Sequence, residues 1–219
     1  MRRLPLRHVL TSWSRRPLQN ALAEKSVHVV THDRQGSRVG TYVEDVAANR
    51  GRQVIRIGGM HAEVIVIGHR AYITGNGDAM VNYFGLPRRL EAQLAGRWLL
   101  LTPVDDGYPT VSADVTIESN MKDLAPASPL QQADSTLGGA PVLVVSGGAP
   151  KALHAPPGPK EALYISTGSH SLPVRATASA PNGGLTSTTE LSRWGEPVLL
   201  SAPAHAIPIS KALGKSQSA

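Results

Sequence analysis

The chain is 219 residues long, 41% hydrophobic and 17% charged, which supplies enough apolar material for a core and excludes a disordered composition. With no cysteine it has no disulfide, no thiolate metal site and no cysteine nucleophile. The net charge of +6 is concentrated at one end: residues 1–60 carry 11 Lys/Arg against 4 Asp/Glu, and residues 61–219 carry 11 against 12. Such a basic arm reads as a solvated lead-in, or as a contact for phosphate or an anionic membrane surface. Aromatic residues make up 4% with a single Phe, Phe84, so the core must be built from Val, Ile, Leu and Ala. The 21 Gly and 17 Pro suit many short strands joined by turns.

Residues 1–13 read as a flexible basic lead-in. No apolar run reaches the roughly 18 residues of a transmembrane helix. The positive start is interrupted by Pro5, Arg7 and His8, so it does not read as a signal peptide. The expectation is that the protein stays inside, or that the recorded start lies downstream of the true one. Residues 14–25 fit a short helix, with Ser14 as N-cap, Pro17 in the first turn, and Leu18, Ala21 and Leu22 on one face. The period then changes to two over residues 26–32, 38–48, 53–57, 62–67 and 71–74, broken at Gly36, Gly51, Gly58-Gly59 and Gly68. That pattern predicts an antiparallel meander. Helical stretches are predicted from Asn76 to Phe84, from Pro87 to Gly96 and over residues 111–124, with a buried strand at residues 98–101. Residues 125–138 are expected to form a loop, and residues 154–159 a rigid Pro-rich one. A second set of strands is predicted at residues 141–145, 162–166, 172–177 and 185–191, and a frayed tail at residues 210–219. A single domain over residues 14–209 follows, with strands, then helices, then strands.

Few motifs carry chemistry. Thr74-Gly-Asn-Gly-Asp-Ala-Met follows a strand and opens a helix, as a phosphate loop does, but Met80 occupies the third glycine position. Capping by Asn76 or Asp78 explains the same residues. Val144-Val-Ser-Gly-Gly-Ala-Pro lacks a following helix and reads as a turn. His28 and His32 share a strand face that His61 or His69 can join, although nothing in their spacing fixes the three convergent ligands of a metal site. Asp105-Asp106 precedes Gly107 in a turn, where Asp makes local hydrogen bonds. There is no Gly-x-Ser-x-Gly elbow and no His-Glu-x-x-His helix. For nucleic acid the meander offers only Tyr42 and Tyr72 as stacking platforms, so no nucleic-acid partner is expected. Neither a catalytic constellation nor a cofactor motif emerges.

Three stretches together carry a resemblance. The first is Ser26-Val-His-Val with the meander to Glu63-Val-Ile-Val-Ile-Gly-His-Arg-Ala-Tyr-Ile, and the second is Gly96-Arg-Trp-Leu-Leu-Leu. The third is Leu172-Pro-Val-Arg with Leu191-Ser-Arg-Trp-Gly-Glu-Pro-Val. Over residues 18–209 the chain resembles the LppX/LolA-like (lipoprotein localisation factor-like) envelope lipoproteins. The resemblance implies an α+β fold, an antiparallel half-barrel whose strongly curved sheet wraps around a few helices. It also implies an extracytoplasmic, monomeric binder of a lipid or other apolar small molecule, with no cofactor and no enzymatic activity. Members of that family hold an acyl chain between the concave sheet and the helices. The lining that this implies is Ile55, Ile57, Val64, Val66, Tyr72, Phe84, Leu90, Leu94 and Trp98. Alternatively these residues fill a dry core, and the domain is an envelope module for protein interaction. The chain departs from the family in lacking a lipidated Cys and a signal sequence.

Overall fold

The computed structural model describes residues 17–113, 115–148, 160–180 and 184–214. The predicted basic lead-in, residues 14–16 of the predicted first helix and the stretch at residues 154–159 predicted as a rigid loop lie outside them. Helix α1 (17–23) leads into the predicted meander: β1 (Ser26–Gln35), β2 (Arg38–Ala47), β3 (Arg50–Ile57), β4 (Met60–Ile67) and β5 (Arg70–Gly75). Gly58 and Gly68, at φ of 57° and 58°, make hairpin turns in a backbone region that side chains disfavour. The helical insert follows as α2 (Gly77–Asn82), a 3-10 turn at Arg88–Leu90, α3 (Glu91–Leu94), the short strand β6 (Leu99–Leu101), α4 (Tyr108–Ala113) and α5 (Ile117–Asp123). The second set of strands comprises β7 (Ala127–Leu137), β8 (Ala140–Gly148), β9 (Lys160–Ser166), β10 (Pro173–Ser179) and β11 (Leu185–Ser192). The chain closes with β12 (Ile207–Pro208) and α6 (Ile209–Ala212).

The twelve strands of the described residues join one open sheet in the order β12-β6-β5-β4-β3-β2-β1-β11-β10-β9-β8-β7. Pairing is antiparallel throughout, apart from β12, which lies parallel to β6. The two meanders therefore meet at β1 and β11, the first strand of one and the last strand of the other. Alternation sends one side chain in two to the concave face. Val27 and Val29 of β1 lie opposite Val46 and Glu44 of β2, and Gly51, Gln53 and Ile55 of β3 continue that face. Ala79 and Met80 of α2, Leu94 of α3 and Ile117 and Met121 of α5 close over it in one buried cluster. The chain ahead of α5 lies directly on β3: a Cβ at Gly51 would sit 2.6 Å from the Val115 carbonyl oxygen. Buried Glu44 accepts from Gln53 Nε2 and Asn120 Nδ2, each at 3.1 Å, so its charge is hydrogen-bonded where α5 meets the sheet.

Local signals were legible where capping chemistry was involved. Asn76 caps α2, its side-chain oxygen accepting from the Ala79 N–H at 3.0 Å, which disposes of the phosphate-loop reading. Asp105 Oδ2 accepts from the Thr102 N–H and hydroxyl at 2.8 and 2.9 Å, as a turn aspartate does. Trp194-Gly-Glu is a clasp: Trp194 Nε1 donates to the Pro173 carbonyl at 3.1 Å, and Gly195 N to the Ser26 carbonyl at 3.0 Å. Ser26 Oγ adds a bond to the Glu196 carbonyl at 2.7 Å, so the motif ties the ends of β10, β11 and β1 together.

Other expectations are corrected. Residues 127–137 form edge strand β7, not a loop. Its register shifts between Ala127 and Gln131, so Pro129 falls where no ladder donor is needed, and its outer edge tolerates polar side chains. Ser146-Gly-Gly continues β8 to Gly148 and does not turn; Gly147 passes so close to Ala127 that a Cβ would collide with its carbonyl oxygen. The helix expected over residues 111–124 is two, with Thr116 restarting the second as N-cap to Ser119 N at 3.2 Å. At the C-terminal end, α6 and Leu213 pack on the core within the stretch read as tail.

Candidate functional site

The concave face has two unequal halves. Over β1–β6 the insert helices complete a closed core, in which Ile55, Leu94, Leu99 and Leu101 are each at most 1% exposed. Over β7–β11 lies a smaller cluster of Val145, Leu163, Ile165 and Ala176, against which Leu18 of α1, Leu124 after α5, Leu130 of β7 and Leu143 of β8 pack partly buried. Cavities border β9 on either side of Leu163, one at Ile165 and one at Glu161.

At the Ile165 end lies a cleft of about 740 Å³. Leu143, Ile165 and Pro17 supply apolar surface, and Asn20, Gln132 and Asp134 stand beside them. Its rim is the loop joining β9 to β10, with the hydroxyls of Ser166, Thr167, Ser169 and Ser171. Ser166 Oγ accepts from Leu172 N at 3.1 Å and Thr167 Oγ1 donates to the Pro141 carbonyl at 3.2 Å, which fixes that rim to β8 and β10. His170 Nδ1 stands 3.6 Å from Glu24 Oε1, linking the rim to the chain after α1. An apolar floor beneath a rim of hydroxyls suits a ligand with an apolar body and a polar end.

At the Glu161 end a second cavity, of about 230 Å³, is lined by Asp33, Asp123, Glu161, Leu124, Ala176, Ala178, Leu185, Ser187 and Thr189, among others. Glu161 is 6% exposed. Burial, reinforced by the Asp123 carboxylate, pushes its carboxyl up to about 7. Burial also raises Asp123, partly offset by the neighbouring Lys122.

The nine lining residues inferred from the family resemblance are not gathered around either cavity. Ile55, Val64, Val66 and Leu94 are buried in the closed core, with Ile57, Phe84 and Leu90 partly buried against it. Phe84 also borders a separate cavity of about 210 Å³ with Ile73, Leu86 and Leu101. Tyr72 points to the opposite face, since Ala71 and Ile73 on either side enter the core, and it lies opposite Ile65 and Leu100. Trp98 is half-buried, and its carbonyl receives Ile207 N at 2.9 Å. His28 and His32 share the outer face: His28 Nδ1 bonds Asp45 Oδ1 at 2.7 Å and contacts Arg193, and His32 Nδ1 lies 3.4 Å from Thr41 Oγ1. Among the described residues no group of three His, Cys, Asp or Glu side chains is placed to hold a metal ion.

Glu161, Leu143 and Ile165, which line the two cavities that border β9, are not among the site residues expected from the sequence. Parity carries the signal: Glu161 shares the inward face of β9 with Leu163 and Ile165, but the predicted strand begins at Ala162, two residues after the observed start at Lys160.

No family model matches the chain, and no curated protein does. Solved structures do. The Mycobacterium tuberculosis lipoprotein LppX matches with a TM-score of 0.56 and 16% identity over 89% of this chain and 99% of that one. LprF from Mycobacterium bovis matches with a TM-score of 0.56 and 15% identity over 90% and 98%. At such identities the likeness is one of fold: the chain has the LppX/LolA-like fold, an α+β half-barrel whose curved antiparallel sheet wraps helices.

Proposed function

We propose that this protein is a non-enzymatic, monomeric binder of a lipid or other apolar ligand at the bacterial cell envelope. One observation carries the reading: the cleft of about 740 Å³, with Leu143 and Ile165 in its floor and hydroxyls on its rim. That volume lies within the several hundred Å³ typical of small-molecule sites. The ligand seat this supports is the β7–β11 half of the concave face, while the β1–β6 half acts as the rigid wall. Placement at the envelope is supported by the fold shared with the lipoprotein LppX.

The test is titration with an apolar fluorescent probe, N-phenyl-1-naphthylamine, followed by displacement with phospholipid vesicles. Saturable enhancement, reversed by the vesicles, is the expected result. A probe that stays dark would contradict the reading and favour the alternative, an interaction module that works through its outer surface.

A further inference from the structure

The smaller cavity is a trough with acids at both ends. Strand register places Asp33 of β1 opposite Ser187 of β11, Ser187 opposite Ala178 of β10, and Ala178 opposite Glu161 of β9. One row across four strands of the concave face thus reads acid, small, small, acid. The two small residues leave the floor low, and three strand spacings of about 4.8 Å set the two acidic backbones roughly 14 Å apart. Asp123 comes down from α5, and Leu124, Leu185 and Ala176 supply apolar wall.

Three carboxyl groups thus line one small space, and none of the described lining residues is basic. Glu161 Oε2 and Asp33 Oδ1 are buried without a hydrogen-bond partner, and Glu161 is more than nine-tenths buried. Unpaired buried carboxylate oxygens are costly, so they mark a site whose partner arrives from outside the fold. A single small ion cannot reach both ends at this separation. An ammonium group offers three donors and no acceptor, which matches acceptor-only carboxylates, and a methylene stem matches the apolar wall.

We propose that this trough binds a linear aliphatic diamine, one ammonium held by Glu161 and Asp123, the other by Asp33, with the methylenes over Ser187 and Ala178. The site goes beyond the apolar-ligand reading and stands whether or not the larger cleft takes a lipid. Binding favours the ionised form of Glu161, so it draws off the proton that burial retains near neutrality.

The probes are 1,4-diaminobutane and butylamine, added at pH 7 to the folded protein and to the variants Glu161→Gln and Asp33→Asn. Affinity is read by calorimetry, and the Glu161 carboxyl is followed by carbon-13 NMR. The expected result is that the diamine binds at least tenfold more tightly than the monoamine and moves the Glu161 titration downward. Each variant, with its fold checked by circular dichroism, loses at least tenfold in diamine affinity. Equal binding of the two amines, an unmoved Glu161 titration, or undiminished binding in Glu161→Gln would each overturn the proposal. Probe fluorescence in the larger cleft is a separate signal, so failure of one site is distinguishable from failure of the other.

Discussion

Glu161→Gln is expected to stabilise the protein at pH 8 by about 2–3 kcal/mol and to change little at pH 4. In the unfolded chain this carboxyl titrates near 4.5, and in the fold burial raises it to about 7. Below the unfolded value both states are protonated, and the acid carries no penalty. As pH rises through the interval the unfolded chain gives up its proton while the native state keeps it, so stability falls until the folded value is passed. An interval from 4.5 to about 7 corresponds to roughly 3 kcal/mol. Asp123, raised by the same burial, adds a loss of the same sign, and Lys122 beside it works against that. Asp33 faces the same cavity from β1. Denaturant unfolding at pH 4, 6 and 8 measures the effect; a variant less stable than the parent at pH 8 would contradict it.

A second large effect separates the two halves of the concave face. Ile55 is 1% exposed inside the closed core, and Ile55→Ala is expected to cost about 2–5 kcal/mol, because a packed site relaxes only partly around a cavity. The same change should leave probe affinity in the larger cleft unaltered. Leu143 is only partly buried and lines that cleft. Leu143→Asp is expected to cost far less stability, while placing a charge on the apolar floor and lowering probe affinity at least tenfold. Urea unfolding and probe titration on the two variants read both effects. Loss of probe binding in Ile55→Ala at full occupancy of the native state would return the ligand seat to the β1–β6 half.

The sequence made most of the fold legible through alternation. Val27 and Val29 against His28 and Val30, and Gly58 and Gly68 between strands, are local signals that burial then rewards. Edge strand β7 was hidden because an edge is judged by what it pairs with: Gln131–Leu137 is polar yet bonds β8 along its length. The partition of the concave face was hidden for a different reason. Alternation tells which side of a sheet a residue faces, but whether a helix covers that side depends on contacts made far along the chain. Val115 rests on Gly51 over one half, while Leu18 and Leu124 pack against the smaller cluster of the other, which cavities border. Ile55 and Ile165 therefore look alike as letters and both are buried, yet only Ile165 borders the larger cleft.

The most direct measurement is native mass spectrometry of the purified protein before and after incubation with phospholipid vesicles, followed by organic extraction. The expected result is a bound species of stoichiometric lipid mass, released on denaturation and diminished in Leu143→Asp. A bare protein mass under both conditions would contradict the claim that the cleft is a seat for an apolar ligand.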